Sequence, residues 1–350
     1  MEAPFQLTDA SEGDTAESAV VTIVADVEGY ERAANGAEIK AIRAGRGSGS
    51  IDMRTTRTEN CNAISVSLPF PMMSSTVIDA DSVGIRAVRS IAPQGSRWCE
   101  TDLEPEMVAV YRPNTEHFEI NDAGLDFSFV TVDLSRIEET AEHLELIFRL
   151  PPTGESCILA PSSHVSAVGS AVNSFTDSEP GSVAAQKAKD DDLLHRVSLA
   201  LSDKPSKDGT GMSRSVDNIH VVTTCTEYAD SIQRVPSIPD LCLVAHVSER
   251  RLRTAFHEAA GMPPSRFFRM WGLNAAHRIL LGADKRSPTV TQVAADLGFW
   301  HFGRFAGRYK DLFGESPSET RVAVVDGPVR ALNEEVVKAG IGLPPPDASD

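Results

Sequence analysis

The side chains able to do chemistry fall into three sets. His117, His143 and His164 are of a type that binds metals, but a metal site needs three or four convergent ligands, and these are too dispersed to predict one. Cys61, Cys99, Cys157, Cys225 and Cys242 are odd in number and contain no Cys-x-x-Cys pair, so free thiols are expected rather than a disulfide framework or a zinc finger. Gly45-Arg46-Gly47-Ser48-Gly49-Ser50 lacks the lysine of a phosphate-cradling loop and reads as a linker, and no Gly-x-Ser-x-Gly elbow occurs. Catalysis finds no support here, and no catalytic residue, metal ligand or cofactor is assigned. The third set is basic. Residues 235–325 hold 12 basic and 8 acidic side chains, whereas residues 1–234 hold 19 and 37, and residues 326–350 hold 2 and 5. One basic segment on a chain of net charge −17 suggests a polyanion-binding module on an acidic body.

That basic segment is a repeat. Ile238, Leu241 and Cys242 return at an offset of 52 as Val290, Val293 and Ala294; Leu252, Phe256, Gly261 and Pro264 return at 53 as Phe305, Tyr309, Gly314 and Pro317. One residue is inserted at the turn of the second copy. Each copy reads as a two-turn helix, a short break and a second helix ending at Gly, the arithmetic of a helix-turn-helix. Leu241, Ala245, Val247, Leu252 and Phe256 would pin the two helices and leave the Arg-bearing face of the second outward, where it can enter a major groove. Ser248 suits an N-cap. Gly298 suits a left-handed turn position that the first copy gives to His246. The helix between, Ser265 to Leu281, would be about 25 Å long at ~1.5 Å per residue, enough to hold two recognition helices roughly one DNA turn, ~34 Å, apart.

The remaining elements must carry this module. The 350 residues suggest about two domains. From about Ile51 to Phe148, apolar stretches (Ala63 to Phe70, Val83 to Ile91, Met107 to Tyr111, Asp126 to Val132) separated by Gly, Pro, Asn and Asp predict an antiparallel sandwich or barrel. Val183 to Leu201 and Ser213 to Arg234 read as helices with one buried face each, packed on the sheet domain or paired between subunits. The expected layout is therefore α+β: a disordered acidic terminus at 1–20, a β-rich effector or dimerisation domain at 21–180, a helical connector at 181–234, an all-α double helix-turn-helix domain at 235–325 and a disordered tail at 326–350. No apolar run reaches the roughly 18 residues of a membrane span, and the first 20 residues carry five acidic side chains and no Lys or Arg, the reverse of a signal peptide. A cytoplasmic protein with no membrane partner is expected.

Val293-Ala294-x3-Gly298-Phe299-x5-Phe305-x3-Tyr309-Lys310-x3-Gly314-x-Ser316-Pro317 closely resembles the C-terminal signature of the AraC/XylS transcriptional regulators. The first copy and Leu273-Asn274-Ala275-Ala276-His277-Arg278-Ile279-Leu280 match the other half, over about residues 235–321. A weaker resemblance, from Leu103-Glu104-Pro105-Glu106 to Phe127-Ser128-Phe129, extends to the effector or dimerisation domain of some members, a cupin-like barrel. The resemblance implies DNA binding in two adjacent major grooves, with Arg250, Arg253 and Thr254 offered by the first recognition helix and Trp300, His301, Gly303 and Arg304 by the second. Arginine suits guanine because two of its N–H groups match O6 and N7. Arg308, Arg251 and Arg266 are expected on phosphate, which fixes register without specifying sequence. Three positions depart from the family. Trp300 stands where a small N-capping residue is usual, and is expected either packed inward or stacked on sugar; Gly307 removes a side chain from the second recognition helix; Gly272 replaces a usual Arg.

The partners implied are double-stranded DNA, a small-molecule effector on the N-terminal domain, a second copy of the chain as a homodimer, and RNA polymerase. Two other readings stand beside this one. Pro113-Asn114-Thr115-Glu116-His117-Phe118-Glu119-Ile120-Asn121 faintly resembles the second metal motif of cupins, which would make the N-terminal half a cupin-like metal-binding enzyme, although the first motif is absent. A ligand-binding protein that does not touch DNA is the other.

Overall fold

Period-2 alternation and closely spaced turn residues fold the first half into strands. In chain order these are β1 (Val20–Ala25), a short helix α1 (Val27–Ala33), β2 (Ala37–Arg43), β3 (Ile51–Arg57), β4 (Cys61–Ser67), β5 (Met72–Ile78), β6 (Ser82–Ser90), β7 (Arg97–Trp98), β8 (Thr101–Asp102), β9 (Val108–Tyr111), β10 (Glu116–Asn121), β11 (Asp126–Asp133), α2 (Leu134–His143) and β12 (Cys157–Leu159). The computed structural model describes residues 20–326 apart from 34–35, 59–60, 92–94, 106, 148–149, 151–156, 160–162, 178–182, 203–211, 282 and 284–286. The two ends expected to be disordered fall outside the described residues, except Val20 and Asp326 at their inner margins.

The strands form a seven-stranded sheet ordered β1-β3-β4-β11-β6-β9-β12 and a five-stranded sheet ordered β2-β5-β10-β7-β8. β11 shows how the pattern positions both faces. Phe127 and Phe129 join the core between the sheets, while Val130 and Val132 join a second core outside the seven-stranded sheet. Strand structure begins earlier than Ile51, with β1 and β2 preceding it. The Gly45–Ser50 stretch is a fitted corner rather than a free linker: the Arg43 guanidinium donates to the Gly45 and Gly47 carbonyls, and a Cβ on Gly47 would meet the Pro69 carbonyl oxygen at 2.6 Å.

Inside the sandwich lies a buried polar network. Arg86 forms an ion pair with Glu119 and donates to Asn121 Oδ1 at 2.8 Å; Tyr111 donates to Glu119 at 2.7 Å. His117 sits on β10 in this interior, stacked on Trp98 with ring centroids 5.3 Å apart. Burial pushes its pKa down to about 4. His143 lies on α2 and His164 on another helix, and among the described residues no group of three or more His, Cys, Asp or Glu side chains is arranged to hold a metal ion. Cys61, Cys99, Cys225 and Cys242 are free thiols.

Helices cover both outer faces. α2, α3 (Ser163–Asp177) and α4 (Val183–Ser202) pack on the seven-stranded sheet through Ile137, Val168, Phe175, Leu194 and Val197. α5 (Met212–Ile232) instead joins the C-terminal helices through Val222, Cys225 and Ala229. The two helices expected to form one connector thus pack on opposite sides of the sandwich. α6 (Ile238–Val244), α7 (Glu249–Ala260), α8 (Pro264–Leu281), α9 (Val290–Asp296), α10 (Phe302–Phe313) and α11 (Pro317–Asp326) complete the chain. Among the described residues no helix is long and apolar enough to cross a membrane.

The helical half docks on the five-stranded sheet along the outer edge of β2. Asn274 of α8 accepts from the Arg43 amide at 2.9 Å and donates to the Arg43 carbonyl at 3.0 Å. Arg278 donates to the Ala41 carbonyl at 2.7 Å, and Glu31 of α1 accepts from the Ala41 amide at 2.6 Å. Arg278 is also ion-paired with Glu28 at 3.3 Å and Glu31 at 3.0 Å.

Candidate nucleic-acid interface

The repeat read in the sequence is a repeat of backbone geometry. α6 opens with a capping box between Ser237 and Asp240, and α9 opens with the same device, Thr289 and Gln292, at the same offset of 52. Both helices end in a left-handed residue, His246 at φ 52° and Gly298 at φ 88°. A matching amide bond then closes each turn, from Val247 to the Cys242 carbonyl (3.1 Å) and from Phe299 to the Ala294 carbonyl (2.8 Å). α7 and α10 both stop at a left-handed glycine, Gly261 and Gly314. The apolar positions in register, Leu241 with Val293, Leu252 with Phe305 and Phe256 with Tyr309, are all buried.

With those faces inward, the opposite faces of α7 and α10 reach solvent. Arg250, Arg253 and Thr254 are exposed on α7; Trp300, His301, Gly303, Arg304 and Arg308 are exposed at the start and along the outer side of α10. Ser248 caps α7 by accepting from the Arg251 amide at 3.3 Å. Arg253 is held by Glu249 one turn earlier, with Nε to Oε1 at 3.0 Å. α10 has no such cap, because its N-cap is His301, which makes no side-chain bond to the helix. The inserted residue falls here, and it turns Trp300 outward to 79% exposure, which excludes inward packing.

Two other arginines stand differently from expectation. Arg251, expected on phosphate, turns back into the protein and donates to Asn218 of α5, a buried amide that also bonds Glu100 at 2.9 Å and Glu258 at 2.7 Å. Arg269, not singled out from the sequence, is exposed on α8 one turn after Arg266. Its pKa is lowered by burial first, then by repulsion from Arg308 and Arg266, which places three cations near one another between the two units. The three-residue spacing of Arg266 and Arg269 was the available signal. Gly272 has a packing reason: a Cβ there would lie 2.6 Å from Val235 Cγ2 and 3.0 Å from the Phe299 ring.

The surface so built can do one kind of chemistry well. It offers two parallel-built convex helical faces with guanidinium groups and a bare helix start, shapes suited to a grooved polyanion.

The Helix-turn-helix domain family matches residues 241–323. The chain is 36% identical over 100 residues to the Probable thc operon regulatory protein of Rhodococcus erythropolis, covering 28% of this chain and 30% of that one. It is 35% identical over 91 residues to the XylDLEGF operon transcriptional activator 2 of Pseudomonas putida, covering 26% of this chain and 58% of the relative. The match therefore spans less than two thirds of either relative. Among solved structures, a probable AraC family transcriptional regulator from Rhodopseudomonas palustris is 35% identical, with 30% of this chain matching 96% of that chain at a TM-score of 0.27. Residues 241–323 are thus a helix-turn-helix domain, and the signature residues of both repeats are similar to those of AraC/XylS transcriptional regulators.

Proposed function

We propose that the protein is a transcriptional regulator that binds double-stranded DNA sequence-specifically, laying α7 and α10 into two adjacent major grooves. One observation carries this reading: two copies of one helix-turn-helix backbone, each with its arginine face turned to solvent. In this reading Arg250, Arg253, Thr254 and Arg304 face base edges. Trp300 and His301 lie against the sugar-phosphate wall, and Gly303 lets the backbone approach. Arg308, with Arg266 and Arg269, meets phosphate. Arg251 is assigned instead to docking, since its guanidinium is already bonded inside the protein.

The sheet half then serves as the effector or dimerisation domain, with a homodimer in the cytoplasm and contact with RNA polymerase as further parts of the proposal. The likeness to operon regulators supports the regulatory role itself. Selection of bound duplexes from a random pool by the full chain tests it. The expected result is a motif of two clusters about one helical turn apart. Absence of any enriched motif across a range of salt concentrations, with weak binding throughout, would defeat it.

A further inference from the structure

Between the outer face of the five-stranded sheet and the helices docked on it lies a cleft of about 510 Å³. Its floor is the outward-facing set of alternate residues on β2, β5 and β10, including Glu38, Met73, Glu116 and Phe118; its roof comes from Glu227 and Asp230 of α5 and from Phe267, Trp271 and Arg278 of α8. The walls therefore belong to both halves of the chain, and the volume is that of a site for a small organic molecule.

Charge sets the class of ligand. Five carboxylates line the cleft, Glu31, Glu38, Glu116, Glu227 and Asp230, against two cations, Lys40 and Arg278. Both cations are already engaged, Arg278 with Glu28 and Glu31, and Lys40 with Glu38 at 3.5 Å. Burial raises Glu31 above the usual carboxylate range even with Arg278 beside it. Among the described residues, Glu116, Glu227 and Asp230 form no ion pair with a lysine or arginine; Glu116 accepts from Ser75 and Thr223, and Asp230 accepts from Trp271 Nε1 at 3.0 Å. Between these carboxylates lie Met73, Phe118, Phe267 and Trp271, a surface for an apolar body with aromatic rings that attract cations. In the sandwich interior, by contrast, Trp98, Arg86, Tyr111 and Phe127 are fully buried.

We propose that this cleft binds a small organic cation, an ammonium carried on an apolar body, and that the bound ligand clamps the sheet to α5 and α8. The ammonium lies among Glu116, Glu227 and Asp230, and the apolar body lies on Phe118 and Trp271. Because it touches both halves, the ligand favours their docked arrangement by the difference in its affinity for docked and undocked states. Only this last consequence rests on the regulatory reading; binding itself does not.

The test is calorimetry on the full chain without DNA, using phenethylamine and, as its anionic counterpart, 3-phenylpropionate. Phenethylamine is expected to bind and to raise the melting temperature, and 3-phenylpropionate to do neither. Glu38→Gln with Glu227→Gln, both exposed at the mouth, is expected to weaken phenethylamine about tenfold or more while leaving the unliganded melting temperature in place. Thr226→Trp, which fills the cleft, is expected to abolish binding. Equal binding of the two probes, no binding of phenethylamine at millimolar concentration, or an unchanged affinity in the double variant would overturn the site. Phenethylamine binding in a protein that selects no DNA motif would overturn the regulatory reading and leave the site standing.

Discussion

α7 and α10 occupy equivalent places in the repeat, yet α7 presents Arg250, Arg253 and Thr254 above a Ser248 cap, whereas α10 starts uncapped and carries Gly303 and Gly307 between Trp300 and its arginines. Their attachments differ as well. α7 is tied to the body through Arg251 and the buried Asn218, which reaches Glu100 of the sheet half. α10 is tied through an exposed ion pair between Arg46 and Asp311 and a looser contact of the Arg43 guanidinium with the Phe313 ring, 5.8 Å from its centroid. An exposed pair contributes about 0–1 kcal/mol, while a buried amide bonded to charged groups is costlier to break. In the proposed function the first unit is therefore the side-chain reader, held more firmly, and the second the backbone follower.

Removing the aromatic at the centre of the first unit should break the comparison most severely. Phe256 is fully buried, with its ring centroid 5.3 Å from Phe267 and 5.5 Å from Phe268. Phe256→Ala is expected to cost about 3–5 kcal/mol in urea unfolding, with loss of binding to the selected duplex. Acid comes next. His117 in the sandwich and His277 in α8 are both pushed down to about 4, chiefly by burial. The unfolded chain takes up these protons first, so stability is fully present above pH ~6.5 and declines as pH falls towards 4. Thermal melts across that range should show the decline, and His277→Gln should flatten part of it; an unchanged slope would remove α8 from the acid response.

Base reading sharpens the difference between the units. Arg250→Ala is expected to cost about 1–3 kcal/mol of discrimination at one cluster of the selected motif, and Arg304→Ala less, because Gly303 and Gly307 beside it bring no side chains. Arg308→Ala should weaken all duplexes alike and lower the salt slope by about 1. Equal relaxation of both clusters would erase the distinction between reader and follower. The smallest effects lie in the turns. Gly298→Ala is expected to cost about 1–2 kcal/mol in the left-handed conformation, whereas His246→Gly should relieve strain and change thermal stability by under ~1 kcal/mol.

The double helix-turn-helix was legible because its determinants are local. Ser248, Gly261, Gly298 and Gly314 each act within a turn of their own position, and Gly261 returns as Gly314 at an offset of 53. Contacts distant in sequence were not legible. Arg251 reads as a surface arginine until Asn218, 33 residues earlier, is folded against it. Gly272 looks like a lost arginine until Val235 and Phe299 close on it. α4 and α5 share a similar amphipathic pattern, and only the sandwich between them shows that one faces the seven-stranded sheet and the other the helix-turn-helix half. Trp300 could be read as inserted, but its outward turn depends on how the longer second loop closes.

The bonds along β2 carry a consequence beyond docking. β2 is the terminal strand of its sheet, and the outward amides and carbonyls of Ala41 and Arg43 are met by Glu31, Arg278 and Asn274 in place of another strand. A bare strand edge is a template for pairing with other chains. α8 therefore guards the sheet against self-association, and a fragment cut before residue 235 would keep its sandwich while gaining an open, adhesive rim.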